Sequence, residues 1–299
     1  MISIIIASTS KTLLEKIENN IKTKAGVPFE VISFDNSNGK IGLCEIYNRG
    51  AKQARYDILC FMHEDIKIHT KNWGKIVADI FESNAKLGLI GVAGSQYKSL
   101  APSGWHCYDI DALEIMYYNI IQNYKYTDKQ ATKDYSNETD TKLARVVCLD
   151  GVWMCCTKEA INSYAFDENL LQGFHGYDLD FSLGINQTHE VAVTFEVLIE
   201  HFSEGKFNKE WLREILKIHA KWSRYLPINF TSLDDEKLKR GELRAFKNIF
   251  RRMCREGFKS MEMFRVIQAS RASKLITLDF YLTLIAKATK YALKRLLIS

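Results

Sequence analysis

The chain has 299 residues, 46% of them hydrophobic and 26% charged, with a formal net charge of +5. These are globular proportions, and they exclude a disordered, collagenous or low-complexity chain. Only 3 Pro occur, so there is no Pro-rich linker, and no apolar run reaches the roughly 18 residues of a spanning helix.

Met1–Ala7 is apolar but short and lacks the basic start of a signal peptide. The 7 Cys are odd in number and form no paired C-x-x-C set, which points to reduced, buried thiols and a cytoplasmic setting. Charge is unevenly placed. Thr231–Ser299 holds 16 Lys and Arg against 7 Asp and Glu, a balance of +9, and the other 25 basic and 29 acidic residues balance at −4. Two functional regions of opposite sign are expected: a domain over residues 1–231 and a basic helical extension over 232–299.

Ile2–Ala7 is β-branched and continuous, which predicts a buried strand ending in Ser8-Thr9-Ser10. Leu13, Leu14, Ile17 and Ile21 have helical spacing, and Ser10 is positioned as N-cap. Phe29–Phe34 is a second strand, ended by the turn signal Asp35-Asn36-Ser37-Asn38-Gly39. Leu43–Arg55 reads as a helix and Ile58–Met62 as a third strand. Strand and helix alternation at these spacings implies an α/β domain with a mostly parallel central sheet. Ser8, Asp35 and Asp65 would then share one sheet edge, the edge where open α/β sheets bind ligands.

Trp73–Asn84 is amphipathic and Gly88–Ala93 is a short strand. The aromatic, polar segment 95–135 has no clean period, and a helix is expected near Ala112–Tyr124 within it. Val146–Cys156 is a strand bent at Asp150-Gly151, Lys158–Tyr164 a short helix, and Glu190–Glu200 a strand ending in His201. Asn208–Tyr225, Lys237–Lys259 and Lys274–Ile298 read as helices, the last with Lys287, Lys290 and Lys294 on one face.

From the residues alone, Glu64 and Asp65 are either a solvated strand-end turn or the place where Asp65 holds a divalent cation at the sheet edge. Asp178 and Asp180 share a face if their stretch is extended. If it opens a helix they diverge, and both favour its N-terminus.

Taken in order, Ile4-Ile5-Ile6-Ala7, Phe34-Asp35-Asn36, Tyr47-Asn48-Arg49-Gly50-Ala51, Phe61-Met62-His63-Glu64-Asp65, Leu149-Asp150-Gly151, Phe166-Asp167-Glu168, Tyr177-Asp178-Leu179-Asp180-Phe181 and Lys221-Trp222 with Leu226-Pro227 form a series. It resembles the inverting GT-A glycosyltransferases of family 2, nearest the branch typified by streptomycin-biosynthesis glycosyltransferase-like proteins. The resemblance covers Met1 to about Pro227. It implies a GT-A, Rossmann-like nucleotide-sugar domain and transfer of a sugar from a nucleoside-diphosphate sugar, a UDP-sugar favoured, to a saccharide acceptor.

In this reading Asp65 and His201 hold Mn²⁺ or Mg²⁺, which stabilises the departing diphosphate as a Lewis acid. Asp178 takes the acceptor's proton, with Asp180 as its competitor. Ala7, Ser8, Asp35, Asn36, Asn48, Arg49, His63 and Glu64 meet the nucleotide. Asp150, Gly151, His175 and Tyr177 line the sugar and acceptor side, and Trp105, His106 and Trp153 are candidate stacking rings. The family's usual Asp-x-Asp is His63-Glu64-Asp65 here, and Tyr177 stands where a Glu is usual.

The basic extension suits either an anionic membrane surface, making the protein peripheral on the inner face of the cell membrane, or a second copy of the chain. No nucleic-acid motif accompanies it. Two rival functions are a non-catalytic module of the same fold and a sugar-1-phosphate nucleotidyltransferase. The second normally needs a Gly-rich loop, which Ser8-Thr9-Ser10-Lys11 lacks.

Overall fold

The structure is a computed structural model describing residues 1–107, 109–110, 115–138 and 140–296. In chain order its elements are β1 (Ile2–Ser8), α1 (Lys11–Lys24), β2 (Phe29–Asp35), α2 (Leu43–Gln53), β3 (Ile58–Met62), β4 (Ile66–Ile68), α3 (Trp73–Ser83), β5 (Leu87–Gly91), β6 (Ala93–Ser95), β7 (Tyr97–Lys98) and β8 (Met116–Gln122). There follow β9 (Thr132–Ser136), β10 (Leu143–Arg145), β11 (Cys148–Leu149), β12 (Trp153–Thr157), α4 (Lys158–Ser163), α5 (Tyr177–Ile185), β13 (Glu190–Thr194) and β14 (Ile199–His201). The chain ends with α6 (Lys209–Trp222), β15 (Ile228–Asn229), α7 (Asp235–Arg255), α8 (Ser260–Ser270) and α9 (Leu278–Leu296). Two compact units result: Met1–Ser95 with Met116–Gly205, and Gln96–Ile115 with Lys206–Ser299.

The first unit is built on a seven-stranded sheet of order β10-β13-β5-β12-β3-β1-β2. β1 runs parallel to β2 and to β3, with Ser8 opposite Asp35 and Ile6 opposite Met62. The sheet is mixed rather than mostly parallel, because β12 inserts antiparallel between β3 and β5 and β10 caps β13 antiparallel. Alternation along each strand supplies two apolar faces. Ile2, Ile4 and Ile6 of β1 share a core with Ile17 and Ile21 of α1 and Trp73 and Val77 of α3. On the other face Phe61 meets Tyr47 of α2 at 4.9 Å and Phe181 of α5 at 6.3 Å. Helices on both faces make a three-layer arrangement, consistent with the α/β domain expected from the alternation of strands and helices. All seven Cys are free, six of them buried, with Cys155 and Cys156 both in the interior. Trp153, a candidate stacking ring, is fully buried against Trp73 and has no face for a sugar.

A second sheet of this unit, β11-β6-β8-β14-β4 with β9 on β8, holds the largest departure from expectation. Of the helix expected over 112–124, residues 112–114 lie outside the described residues, and Met116–Gln122 is strand β8. Its Met-Tyr-Tyr-Asn-Ile-Ile-Gln composition is aromatic and β-branched, and partners on either side override the absent period. The strand expected over Glu190–Glu200 is two strands, β13 in the first sheet and β14 in the second. β14 runs antiparallel to β4 with His201 opposite Ile66, which carries His201 to the turn after β3.

The second unit contains α6 to α9 and the antiparallel pair β7·β15. Glu242 of α7 is fully buried and accepts from the Tyr97 and Ser99 hydroxyls and the Leu100 and Ala101 amides. That pattern satisfies a buried carboxylate internally. Among the described residues no helix is long and apolar enough to cross a membrane.

Candidate active site

The candidate site lies at the carboxyl edge of β1, β2 and β3. β12 starts at the same edge because Trp153 pairs with Met62, and the His63 amide donates to the Val152 carbonyl at 3.1 Å. The bend 150–152 therefore sits beside the turn 63–65. The Phe202 amide donates to the Asp65 carbonyl at 3.0 Å, fixing His201 on the other side.

Three side chains converge there. Donor atoms of His63, Asp65 and His201 all lie within 4.8 Å of one another. Asp65 Oδ1 is 3.8 Å from His63 Nδ1 and 3.7 Å from His201 Nε2, both beyond hydrogen-bond length. The Ser203 hydroxyl donates to Asp65 Oδ2 at 2.6 Å and leaves Oδ1 to the imidazoles. His201 is 9% exposed, yet its Nε2 is buried without a hydrogen-bond partner. A buried polar atom in that condition is costly unless a ligand satisfies it. Burial, and then the neighbouring His63, push the His201 imidazole below its ordinary value, which favours the neutral form that a metal ligand would need. Burial tends to raise the Asp65 carboxyl. The electrostatic attraction of His63, then of His201, and the Ser203 hydroxyl outweigh it and hold the carboxyl below its ordinary value. The donor set fits a divalent cation that accepts both imidazole nitrogen and carboxylate oxygen.

The expected base lies one hydrogen-bonded residue away. Gly176, at φ 80°, takes the left-handed turn that starts α5, which glycine adopts without a Cβ clash. Tyr177 then points its hydroxyl at His63 Nε2, 2.8 Å away, and at the Gly151 carbonyl, 3.0 Å away. Asp178 accepts from the Gly151 amide at 3.2 Å. A Cβ on Gly151 would strike the Tyr177 phenol, so glycine is required by close approach. Asp178 is half-buried; that burial, and then the Asp150 carboxylate, push its carboxyl up to about 7. Asp180 is fully buried and accepts from the Tyr164 hydroxyl at 2.8 Å. As a helix requires, the two carboxylates diverge: Asp178 reaches the Gly151 amide and Asp180 the Tyr164 hydroxyl.

The other expected residues divide. Ser8, Asp35 and Asp150 stand at the same edge; Asp35 is exposed and accepts from the Ser37 amide, which lowers its carboxyl. Ala7 and His175 are half-buried, Ala7 opposite Phe34 in the β1·β2 register and His175 in the turn before α5. Asn36 is fully buried and exchanges hydrogen bonds with the Ile41 backbone. Glu64, expected to meet the nucleotide, turns inward instead. Its two oxygens accept from the Ser8 and Thr9 hydroxyls and the Thr9 and Ser10 amides, bracing the loop from β1 to α1. Asn48 also turns inward, its amide group on the Phe166 carbonyl and Glu168 carboxylate, and Arg49 pairs with Glu45 on the exposed side of α2. Trp105 and His106 belong to the second unit, with edge-on rings 5.1 Å apart. Sequence reasoning gave His63 a nucleotide contact and missed its place in the triad. It also missed Ser203 and Gln122, whose carbonyl oxygen lies 3.3 Å from His201 Nδ1. No sequence signal pairs either with the triad, because only strand register brings them there.

Residues 3–223 match the family described as glycosyltransferase like family. No curated protein matches the chain. Among solved structures, TarS 1-349 from S. aureus is similar at TM-score 0.57 and 14% identity, over 98% of this chain and 88% of that one. TarS 1-349 in complex with UDP-GlcNAc is similar at TM-score 0.55 and 12% identity, over the same 98% and 88%. GalNAc-T7 with UDP, GalNAc and Mn²⁺ is similar at 0.52 and 12%, over 75% of this chain and 49% of that one. At these identities the likeness establishes the fold.

Proposed function

The chain belongs to the glycosyltransferase like family, and from that premise we propose that it is a metal-dependent, inverting transferase of sugar from a UDP-sugar to a saccharide hydroxyl. The observation that carries this reading is the buried, unpartnered Nε2 of His201 facing Asp65 and His63 at the nucleotide edge of the sheet. His63, Asp65 and His201 hold the cation, and two nitrogens among three ligands favour Mn²⁺ over oxygen-seeking Mg²⁺. When bound, the cation neutralises the diphosphate as the sugar leaves.

The residues of the chain supply the rest. Ser8 and Asp35 flank the nucleoside at the ends of β1 and β2, and Glu64 shapes that rim by bracing Ser8–Ser10. Asp178 accepts the proton of the acceptor hydroxyl as that oxygen attacks the anomeric carbon from the face opposite the leaving group, inverting the configuration. A carboxyl held near 7 is matched to that task. Asp150, Gly151, His175 and Tyr177 line the sugar and acceptor side. Within the family the ordered motifs favour the branch of streptomycin-biosynthesis glycosyltransferase-like proteins. Catalysis occupies residues 1–231, and the basic helices of 232–299 serve attachment. α9 leaves Leu278, Leu282 and Leu293 exposed beside a balance of +9, which suits an anionic membrane surface bearing a lipid-linked acceptor, or a second copy.

The test is nucleotide release from a panel of UDP-, GDP- and dTDP-sugars with Mn²⁺. Release of UDP above the Asp178→Asn background supports the reading. UDP binding without release from any sugar nucleotide would instead support the non-catalytic module.

A further inference from the structure

We propose that Tyr177 and Gln122 are positioning residues that fix the tautomers of His63 and His201, so that three lone pairs and no proton face one point. This rests on the reading that a cation sits among His63, Asp65 and His201.

The inference follows from counting protons. The Tyr177 hydroxyl has one hydrogen and three neighbours: the Gly151 carbonyl at 3.0 Å, His63 Nε2 at 2.8 Å and the Tyr47 hydroxyl, which can itself donate to the phenol oxygen. A carbonyl only accepts. Gly151 is buried, so its carbonyl needs the Tyr177 hydrogen. His63 Nε2 must then donate to the phenol oxygen. A neutral imidazole carries one proton, so Nδ1 is left with a lone pair, and Nδ1 is the atom 3.8 Å from Asp65 Oδ1.

The same count applies to His201. The Gln122 amide nitrogen donates to the Asn123 carbonyl at 2.6 Å and the Ser203 carbonyl at 2.9 Å. Its oxygen therefore faces His201 Nδ1, 3.3 Å away, and can only accept. His201 Nδ1 carries the proton, and Nε2, buried and unpartnered, presents its lone pair to Asp65 Oδ1 at 3.7 Å. Ser203 uses its carbonyl to orient Gln122 and its hydroxyl to orient Asp65. Strand register enforces the second relay, since His201 stands opposite Gln122 in the β14·β8 pair. Helix start enforces the first, since Tyr177 opens α5.

The reverse tautomers would turn an N–H of each imidazole toward Asp65 and leave no imidazole lone pair there for a cation. They would leave the Gly151 carbonyl without its donor and set two acceptors, His201 Nδ1 and the Gln122 oxygen, against each other. Outer partners of metal-binding His act in this way generally, and their loss costs about 10–100-fold in metal affinity.

The experiment is long-range ¹H–¹⁵N NMR of the imidazoles in metal-free protein, followed by Mn²⁺ titration read by electron paramagnetic resonance. His63 should be protonated at Nε2 and His201 at Nδ1. Tyr177→Phe keeps the ring packed on Tyr47 and Phe166. It should let His63 populate both tautomers and weaken Mn²⁺ binding about 10–100-fold. Gln122→Leu should do the same through His201. The opposite tautomers in the wild type would overturn the proposal even if Tyr177→Phe fails to fold. So would a Tyr177→Phe protein with unchanged Mn²⁺ affinity, while loss of binding in Asp65→Ala leaves the cation reading intact. A wild type that binds no Mn²⁺ overturns the cation reading and, with it, the role given to these two residues.

Discussion

Asp178→Asn should stabilise the protein and abolish sugar transfer. The Asp178 carboxyl is moved from 3.8 to about 7, first by burial and then by Asp150. Because the folded value is raised, the unfolded chain ionises first as pH rises. Stability contributed at low pH is therefore lost progressively between about 4 and 7. Each tenfold change in a protonation equilibrium is about 1.4 kcal/mol, so the native ionised form carries a penalty approaching ~4 kcal/mol, or ~2–3 after allowing for the partial exposure of the side chain. Asparagine removes the charge and keeps an oxygen to accept the Gly151 amide, now at 3.2 Å. Urea unfolding at pH 8 should show Asp178→Asn more stable by ~2–3 kcal/mol, and the gain should shrink toward zero near pH 4. Turnover of the wild type should rise through pH 7 as the base ionises. A stability difference independent of pH, or an Asn variant that still transfers sugar, would refute the reasoning.

Further outcomes follow from the same contacts. Tyr164→Phe removes the hydroxyl on Asp180 and should cost about 1–2 kcal/mol in unfolding free energy with turnover within a few-fold of wild type, which separates a structural carboxylate from the base. Gly151→Ala drives a methyl into the Tyr177 phenol and should destabilise by ~1–3 kcal/mol while lowering Mn²⁺ affinity in a metal titration. Glu64→Ala frees four donors in the loop from β1 to α1; calorimetry should find UDP affinity reduced without any change in Mn²⁺ affinity.

Much of the first unit was legible because its signals are local. The apolar run of β1, the Ser10 cap whose hydroxyl accepts from the Leu13 amide, and the turn after Asp35 depend on neighbours in sequence. β8 was misread because its aromatic, polar face has no period of its own and is set by β6 and β14 beside it. The antiparallel insertion of β12 was hidden for a related reason: a fully buried strand reads the same in either direction. Asp65 stood out as a carboxylate ending the apolar run Ile58–Met62, whereas spacing alone favoured a capping or core role for His201 and only the family resemblance set it beside Asp65. Glu64 and Asn48 were misassigned because a polar residue near a strand end serves a ligand or a loop equally well by composition. Only their hydrogen bonds to Thr9 and to Phe166 distinguish the two. His63 stood in a family position for a carboxylate, and its membership of the triad became visible only from the 3.8 Å approach of Nδ1 to Asp65.

The most direct measurement is pulsed electron paramagnetic resonance of Mn²⁺ bound to the protein with UDP. Two ¹⁴N couplings from His63 and His201 together with ³¹P couplings from the diphosphate are the predicted result, all of them lost in Asp65→Ala. A bound Mn²⁺ with phosphorus couplings but no nitrogen coupling would contradict the account.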